Sequence, residues 1–528
     1  MHEIELKLQV PAARRGAVDA AVAGRGGEPR VRLRAAYYDT TDRRLARAGL
    51  ALRLRREGRR WVQTLKGATD DGITRLEHNV ARGSAGPMPA LAAALHAGTP
   101  AGERLHALLG TPPEPLIERY RTDILRRRRV LRTLHGRIEL GFDVGTIQAG
   151  DALQDVLELE IELVAGSPLA VLETATRWIT RYGLWLDTRS KAERGDLLAD
   201  NGRAQAAPRL ARDPTLARGT TAAAAWQAVL RACSEQIIAN ASQIASGAHA
   251  PEHVHQLRVG LRRLRSALQL FDGLGADAEL AVPAALLFRR LGRSRDRLVI
   301  ADEFGAGLRG ALRSAGLDGA TPLPAAARDE PAPTDALREP GSQALLLQLL
   351  AAAQAGGAAD KRAVAEGDAI DLRTAIARRL TRWHRALVAD AARFAELDDA
   401  RRHRLRKRAK RLRYATEFCG ALFEGHARRR YLRALCALQE RLSVFSDATM
   451  AMQAFADDLQ TGEGDNLRSM FALGWLAARR EQSIAAAAPQ LGAFVKVERF
   501  WKTKRRAKSA KSPKGAKGAK STSGRSGP

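Results

Sequence analysis

Glu3, Glu5 and Lys7 open the chain as Glu-x-Glu-x-Lys, and Glu158, Glu160 and Glu162 repeat the alternation far downstream. Residues i, i+2 and i+4 of a β-strand share one face, so each stretch lays its charges along one side. Ile4, Leu6 and Leu8, and later Leu157, Leu159, Ile161 and Leu163, fall on the other. Leu50, Leu52 and Leu54 alternate with Arg53 and Arg55 in the same way. Such a face is commonly the wet side of a sheet. It can also line an interior in which carboxylates gather a hard divalent cation and cations hold a polyphosphate. Six glutamates in such strands (Glu3, Glu5, Glu77, Glu158, Glu160, Glu162) beside basic residues in matching alternation favour the interior.

Several short strands with charge on one side and aliphatics on the other predict a closed or sandwiched antiparallel sheet. Gly58, Gly67, Gly72, Gly136 and Gly145 punctuate the runs as hairpin turns would. The Ala- and Pro-rich piece from Met88 to Pro115 reads as a helical insert. From about residue 215 the periodicity changes to aliphatics at 3- and 4-residue spacing in Ala-, Leu- and Arg-rich segments, which predicts helices. The expected organisation is a strand domain over 1–200, a linker over 201–218 and an all-α domain over 219–501. A Pro-rich break lies near 321–342, and a disordered Lys-rich tail covers 502–528.

At 528 residues the chain exceeds one ordinary core. Its 87 Lys and Arg against 58 acids give a net charge of +29, which calls for polyanionic partners: nucleic acid, anionic membrane or phosphate polymer. The tail holds ten of those cations and no acid, so 29 minus 10 still leaves +19 on the rest. Cys233, Cys419 and Cys436 lack metal-type or paired spacing and favour a reducing compartment. No basic-then-apolar leader pattern and no 18-residue apolar run is present, so a soluble cytoplasmic protein is expected.

The helical half contains a repeat. His255, Arg258, Arg262 and Arg265 recur 148 positions later as His403, Arg406, Lys410 and Arg413. The spacing i, i+3, i+7, i+10 puts each set along one helical face. A second element follows each copy: Leu291 to Asp296, then Leu442 to Asp447. The plain reading is a solvated basic face. Stacked cations weaken a helix unless an anion relieves them, however, and two copies favour a polyanion groove. The cluster His249, His253, His255 is interrupted by Pro251 and reads as a helix N-terminus rather than a metal site.

The first 200 residues resemble the CYTH domain of the triphosphate tunnel metalloenzymes. The likeness runs through Glu3-x-Glu5-x-Lys7, Tyr38-Asp39-Thr40, Arg53-Leu-Arg55 and Gln63-Thr-Leu-Lys66-Gly67. It continues with Arg75-x-Glu77, Glu139-x-x-x-Asp143, Glu158-Leu-Glu160-Ile-Glu162 and Ser190-Lys191-x-Glu193-Arg194-Gly195. The helical half resembles a CHAD domain through its two His-x-x-Arg elements, and the tandem is similar to bacterial inorganic triphosphatases. The resemblance implies an α+β multidomain fold: an eight-stranded antiparallel β tunnel followed by a duplicated helical bundle that binds polyphosphate. It implies Mg²⁺ or Mn²⁺ held by Glu3, Glu5, Asp143, Glu158, Glu160 and Glu162, and catalysis by Glu3, Glu5, Lys7 and Glu77. Triphosphate would be gripped by Lys7, Arg53, Arg55, Lys66, Arg75, Arg126 and Lys191. Polyphosphate would meet His255, Arg258, Arg262, Arg265, His403, Arg406, Lys410 and Arg413.

Two departures stand out: Asn79, where many relatives continue with Glu, and Ser443 in place of an expected glycine. Tyr37 and Tyr38 read as packing residues. The leading expectation is hydrolysis of inorganic triphosphate to pyrophosphate and phosphate, with association to polyphosphate granules following from the helical domain. Thiamine triphosphate, nucleotides and ATP cyclisation stay open as substrates and reactions of such a tunnel. So does a non-catalytic protein that binds polyphosphate or, nonspecifically through the tail, nucleic acid.

Overall fold

The computed structural model describes residues 2–25, 28–68, 74–84, 86–217, 219–317, 331–354, 371–423, 425–461 and 466–501. The side chains of residues 2, 3, 68, 74, 75, 293–299, 354 and 461 lie outside that description. So do the Lys-rich tail, Gly72 and part of the Pro-rich break.

The alternating stretches form β1 (His2–Gln9), β2 (Val31–Asp39), β3 (Leu50–Glu57), β4 (Arg60–Ala68), β5 (Thr74–Ser84), β6 (Ile117–Thr133), β7 (Gly136–Ala149) and β8 (Ala152–Gly166). All neighbours are antiparallel, in the order β5-β4-β3-β2-β6-β7-β8-β1. The first half of β1 also pairs with β5, Glu3 opposite Arg75, and this pairing closes the eight strands into a ring. The second half of that edge of β1 takes a two-residue ninth strand, β9 (Trp185–Leu186), which the sequence did not suggest.

Gly58 occupies a turn as expected, and Gly136 opens β7 directly after the turn at Leu134 and His135, both glycines at positive φ. Gly67 and Gly145 do not mark turns: they stand inside β4 and β7. At Gly145 the reason is close backbone approach, since a Cβ there would sit 2.0 Å from the Asp123 carbonyl oxygen. Gly145→Ala should therefore lower the thermal midpoint, by about 1–3 kcal/mol of stability. Gly16→Ala, in the helix Arg15–Ala23 with open space around it, should stabilise by about 0.5–1 kcal/mol. Equal midpoints for the two variants would contradict this account. The Met88–Pro115 insert holds a short 3₁₀ turn (Ala93–His96) and a helix (Pro100–Leu109), capped by the Thr99 hydroxyl.

One end of the ring is lined by apolar side chains: Leu33, Ala35, Tyr37, Tyr120, Ile124, Ile147 and Val156. The helix Lys191–Asn201 packs Leu198 against them and so closes that end. Its start is set by a capping box between Ser190 and Glu193, its end by Gly202 in the left-handed conformation. Gly195 lets the helix lie on the Tyr120 ring, which a Cβ would approach to 2.3 Å. Arg43 holds the helix from outside with a forked pair to Asp196.

Beyond residue 221 the described structure is helical. Ala222–Ala245 and Pro251–Leu270 form one antiparallel pair, and Leu372–Ala392 and Asp399–Cys419 another, with Gly425–Thr461 and Asn466–Val495 packed behind. Buried Arg263 ties the halves together, donating to Glu417 at 2.9 Å and lying over Phe418. A single apolar core runs from the outer faces of β1, β7 and β8 (Leu6, Leu8, Leu140, Ile161) into the helices (Trp226, Leu257, Leu346). No helix among the described residues is long and apolar enough to cross a membrane.

Candidate active site

Cross-strand register turns the alternating charges into rows. Glu5 on β1 faces Glu162 on β8, which faces Glu139 on β7. One row further along, Lys7 faces Glu160, which faces Gly141; the third row is Gln9, Glu158, Asp143. Directly opposed like charges repel, and cations partly relieve the first row: Lys7 pairs with Glu5, and Arg128 lies 3.5 Å from Glu139. Burial, then Glu139 and Glu5, push the Glu162 carboxyl above its ordinary value.

The other rows carry their own cations. The Lys191 ammonium sits among Asp143 (2.6 Å), Glu160 (2.9 Å) and Glu158. Arg126 makes two 2.6 Å bonds to Asp143 and also pairs with Glu160. Arg194, on the turn after Lys191, pairs with Glu158 from beneath, and Gln9 donates to the same carboxylate at 3.1 Å. Burial alone would raise Glu158, but Arg194 and Lys191 outweigh it and hold the carboxyl at about 2. Glu160 is likewise held well below its usual range by Arg126, Lys191 and Lys7 against its burial. Asp143, Glu158 and Glu160 bring their oxygens close enough together for a metal ion. Lys191, Arg126 and Arg194 together balance the charge of that cluster, whereas in the Glu5–Glu162–Glu139 row Lys7 and Arg128 serve the outer members and Glu162 is crowded between the two carboxylates.

On the facing wall, β3 stands four strands from β8 around the ring and presents Arg53 and Arg55. Both guanidiniums keep a buried Nε without a hydrogen-bond partner among the described residues. Burial, then neighbouring Arg53, pull Arg55 down to about 10, although it pairs with Glu57. A cation pushed toward neutrality beside other cations is the electrostatic form of an anion site. Arg53 also donates to the Tyr37 hydroxyl at 3.1 Å. Burial would raise that phenol; Arg53, Lys191 and Arg55 bring it below its ordinary value. Tyr37 therefore packs on Tyr120 and faces the cavity as well. Lys66 pairs with Glu77 at 2.7 Å, and Asn79 links Glu77 to the Thr64 hydroxyl.

These walls enclose a cavity of about 910 Å³. Glu5, Lys7, Arg53, Arg55, Lys66, Glu77, Arg126, Asp143, Glu160, Glu162 and Lys191 all line it. Glu158 does not; it is fully buried below Lys191. Glu3 and Arg75 pair through their backbones, and their side chains fall outside the described residues. Sequence reasoning gave no role to Glu139, Arg128 or Arg194. Glu139 and Asp143 are four apart on one strand and share a face, and Arg194 lies one helical turn after Lys191, so both were findable by spacing.

In the helical domain the two repeated faces meet. Arg258, Arg262 and Arg265 gather around the Phe288 ring, their guanidinium carbons within 6.0 Å of its centre. Lys410 comes from the second copy; burial, then Arg262 and Arg406, pull its ammonium down to about 6. His403 is lowered to about 4 by desolvation and by Lys407, Arg406 and Lys410. Two members are partly neutralised: Arg406 by Asp447 and Arg413 by Glu417. Ser443 places its hydroxyl 3.4 Å from Arg406. His255 is half-buried on the first face. His253 is buried and hydrogen-bonded to the Ala206 carbonyl rather than grouped with its neighbours.

Comparison with known proteins agrees with this division. The CYTH domain family matches residues 1–195 and the CHAD domain family residues 228–456. An inorganic triphosphatase of Haemophilus influenzae is 29% identical over 168 residues, covering 31% of this chain and 44% of that protein. The match thus spans less than half of that relative's length. The CHAD domain from the plant Ricinus communis is 30% identical, with a TM-score of 0.44, covering 54% of this chain and 97% of that one. A Hippeastrum protein described as a candidate adenylyl cyclase with a dominant triphosphatase activity is 16% identical, with a TM-score of 0.28, covering 38% and 96%. The chain is a CYTH–CHAD tandem protein: a closed antiparallel CYTH sheet followed by a helical CHAD domain.

Proposed function

We propose that the CYTH domain hydrolyses inorganic triphosphate to pyrophosphate and phosphate with a divalent metal, and that the CHAD domain binds polyphosphate. One observation supports the first part: the cavity crowds carboxylates on the β1–β8–β7 wall, where burial, Glu139 and Glu5 raise Glu162, and guanidiniums on the β3 wall, where burial and Arg53 lower Arg55. A metal–triphosphate complex presents the complementary pair. The chemistry suits a hard cation: Glu5, Glu139 and Glu162 offer carboxylate oxygens only, as do Asp143, Glu158 and Glu160, whose oxygens lie within 4.8 Å of one another, and Mg²⁺ or Mn²⁺ takes such donors. Bound there, the metal would neutralise phosphate oxygens and lower the pKa of a coordinated water.

The remaining work falls to the protein. Arg53, Arg55 and Arg126 supply forked donors for phosphoryl oxygens, and Lys7, Lys66 and Lys191 supply point charges. Glu77, held by Lys66 and Asn79, is placed to orient or take a proton from the attacking water. Positioning and charge stabilisation are the main demands of phosphoryl transfer. The test is kcat/KM for inorganic triphosphate, thiamine triphosphate and ATP under Mg²⁺ and Mn²⁺. Inorganic triphosphate should be the best substrate by at least about tenfold, about 1.4 kcal/mol of discrimination. Preference for ATP or thiamine triphosphate would overturn the assignment.

The polyphosphate reading rests on the Arg262–Lys410 junction. A lysine lowered to about 6 is mostly neutral at pH 7, and a bound polyanion restores its proton. Affinity for long-chain polyphosphate should therefore rise as pH falls from 8 to 6. Lys410→Met should flatten that dependence. An equally steep profile in Lys410→Met, measured by calorimetric titration, would contradict the role of this group.

A further inference from the structure

We infer that the CHAD domain is part of the construction of the CYTH cavity, with Gln243 as a positioning residue that fixes Lys191 through Arg189. The inference rests on the hydrolytic reading above and concerns how its cationic floor is held. Lys191 sits one residue after a capped turn, and the segment before that turn, residues 185–189, is gripped by CHAD side chains.

Three contacts do the gripping. The Leu186 N–H donates to Gln343 Oε1 at 2.7 Å, and the Thr188 N–H donates to Ser242 Oγ at 3.2 Å. Arg189 Nη1 donates to Gln243 Oε1 at 2.9 Å. The rest of the Arg189 guanidinium forks onto Asp187, at 2.9 and 2.7 Å. Asp187 in turn donates its N–H to the carbonyl of Lys7, on the strand that carries the acidic row. Asp187 and Gln243 are each 1% exposed and Gln343 is fully buried, so these are polar groups sealed in the domain junction. Gln243 Oε1 also accepts from the Ala206 N–H at 3.1 Å, holding the outgoing chain as well as the incoming one.

Geometry makes the arrangement matter for chemistry. The Lys191 ammonium serves three carboxylates at once, and about an ångström of displacement from a loosened turn would take at least one of those contacts beyond hydrogen-bond distance. Arg189 itself lines the cavity next to Ser190 and Lys191. A shift of Arg189 therefore moves both the floor of the site and the helix that plugs it.

The test uses the full-length chain. Gln243→Leu removes, at nearly constant volume, both the acceptor and the Nε2–H donated to the Ala248 carbonyl, and Gln243→Glu loses that donor but keeps the acceptor for Arg189, so the pair separates the two contacts. Asn240→Ala is the control: Asn240 lies on the same helix and bonds the chain at Arg209, not the 185–189 segment. Triphosphate affinity is read by calorimetric titration, and turnover by phosphate release. Gln243→Leu should weaken affinity and raise KM about tenfold or more, Gln243→Glu should restore both to within about threefold, and Asn240→Ala should leave both unchanged despite a lower unfolding temperature. Equal affinities in Gln243→Leu and Asn240→Ala overturn the inference. Tight triphosphate binding without turnover in the unaltered chain overturns the hydrolytic reading but leaves the affinity comparison intact.

Discussion

Lys191→Met should abolish triphosphate turnover, by a factor on the order of 10³, and should destabilise the fold at the same time. The two effects share one cause. Lys191 is the ammonium at the centre of Asp143, Glu158 and Glu160, and methionine fills its space without its charge. Breaking a buried ion pair from one side leaves uncompensated charge and costs about 3–5 kcal/mol. Arg126 and Arg194 still cover part of that charge, which argues for the lower end of the range. The loss should depend on pH in a stated direction. In the unaltered protein Glu158 is depressed to about 2, so its stabilisation is present above the ordinary carboxylate range and is lost as pH falls toward 2. Without Lys191 that depression shrinks, and the variant's deficit should be largest near neutrality and close up in acid. Denaturant midpoints at pH 7 and pH 4 check this; a deficit that grows in acid would contradict the placement of Lys191.

Glu162→Gln should do the reverse to stability while still removing activity. Glu162 lies between Glu5 and Glu139, and its carboxyl is raised above the ordinary value by burial and by those two neighbours. A carboxyl raised in the folded state contributes stability below its unfolded value and loses it as pH rises through the folded one. Metal-free protein at pH 7 has already lost that contribution, so the neutral amide should raise the thermal midpoint. The same amide removes a charged oxygen from the row proposed to hold the divalent cation, and turnover should fall on the order of 10²–10³. Added Mg²⁺ should raise the midpoint of the unaltered chain and scarcely move that of Glu162→Gln, because a ligand stabilises only the state that binds it. A midpoint that falls on substitution, or an Mg²⁺ shift of equal size in both proteins, would show that this row is not the metal-binding wall.

Much of this site was legible from alternation, and the limits of legibility have physical reasons. Period two places Glu5 with Lys7, and Glu160 with Glu162, on single faces whatever the fold turns out to be. It does not say which strand lies beside which. Ring closure depends on β1 dividing one edge between β5 and β9, and two residues of β9 carry no detectable alternation. Gly145 shows the same limit. A glycine in sequence reads as a turn, and only the approach of the Asp123 carbonyl reveals that it is there to let two strands close up. The repeat in the helical half was visible because its cations keep their spacing. The meeting of Arg262 with Lys410 was not, since it depends on how two distant helices cross. Gln243 and Ser242 were the least visible of all: two among several polar residues of one helix, with nothing in the spacing to mark partners that lie 54 residues away.

The most direct measurement is phosphate release from inorganic triphosphate by the purified full-length chain, with Mg²⁺ and with chelator, beside Glu5→Ala and Glu160→Ala. The account predicts turnover that needs the metal and disappears in both variants while their helical content stays unchanged. Turnover that survives chelation, or that persists in either variant, would contradict a reaction carried out between the acidic and basic walls of this cavity.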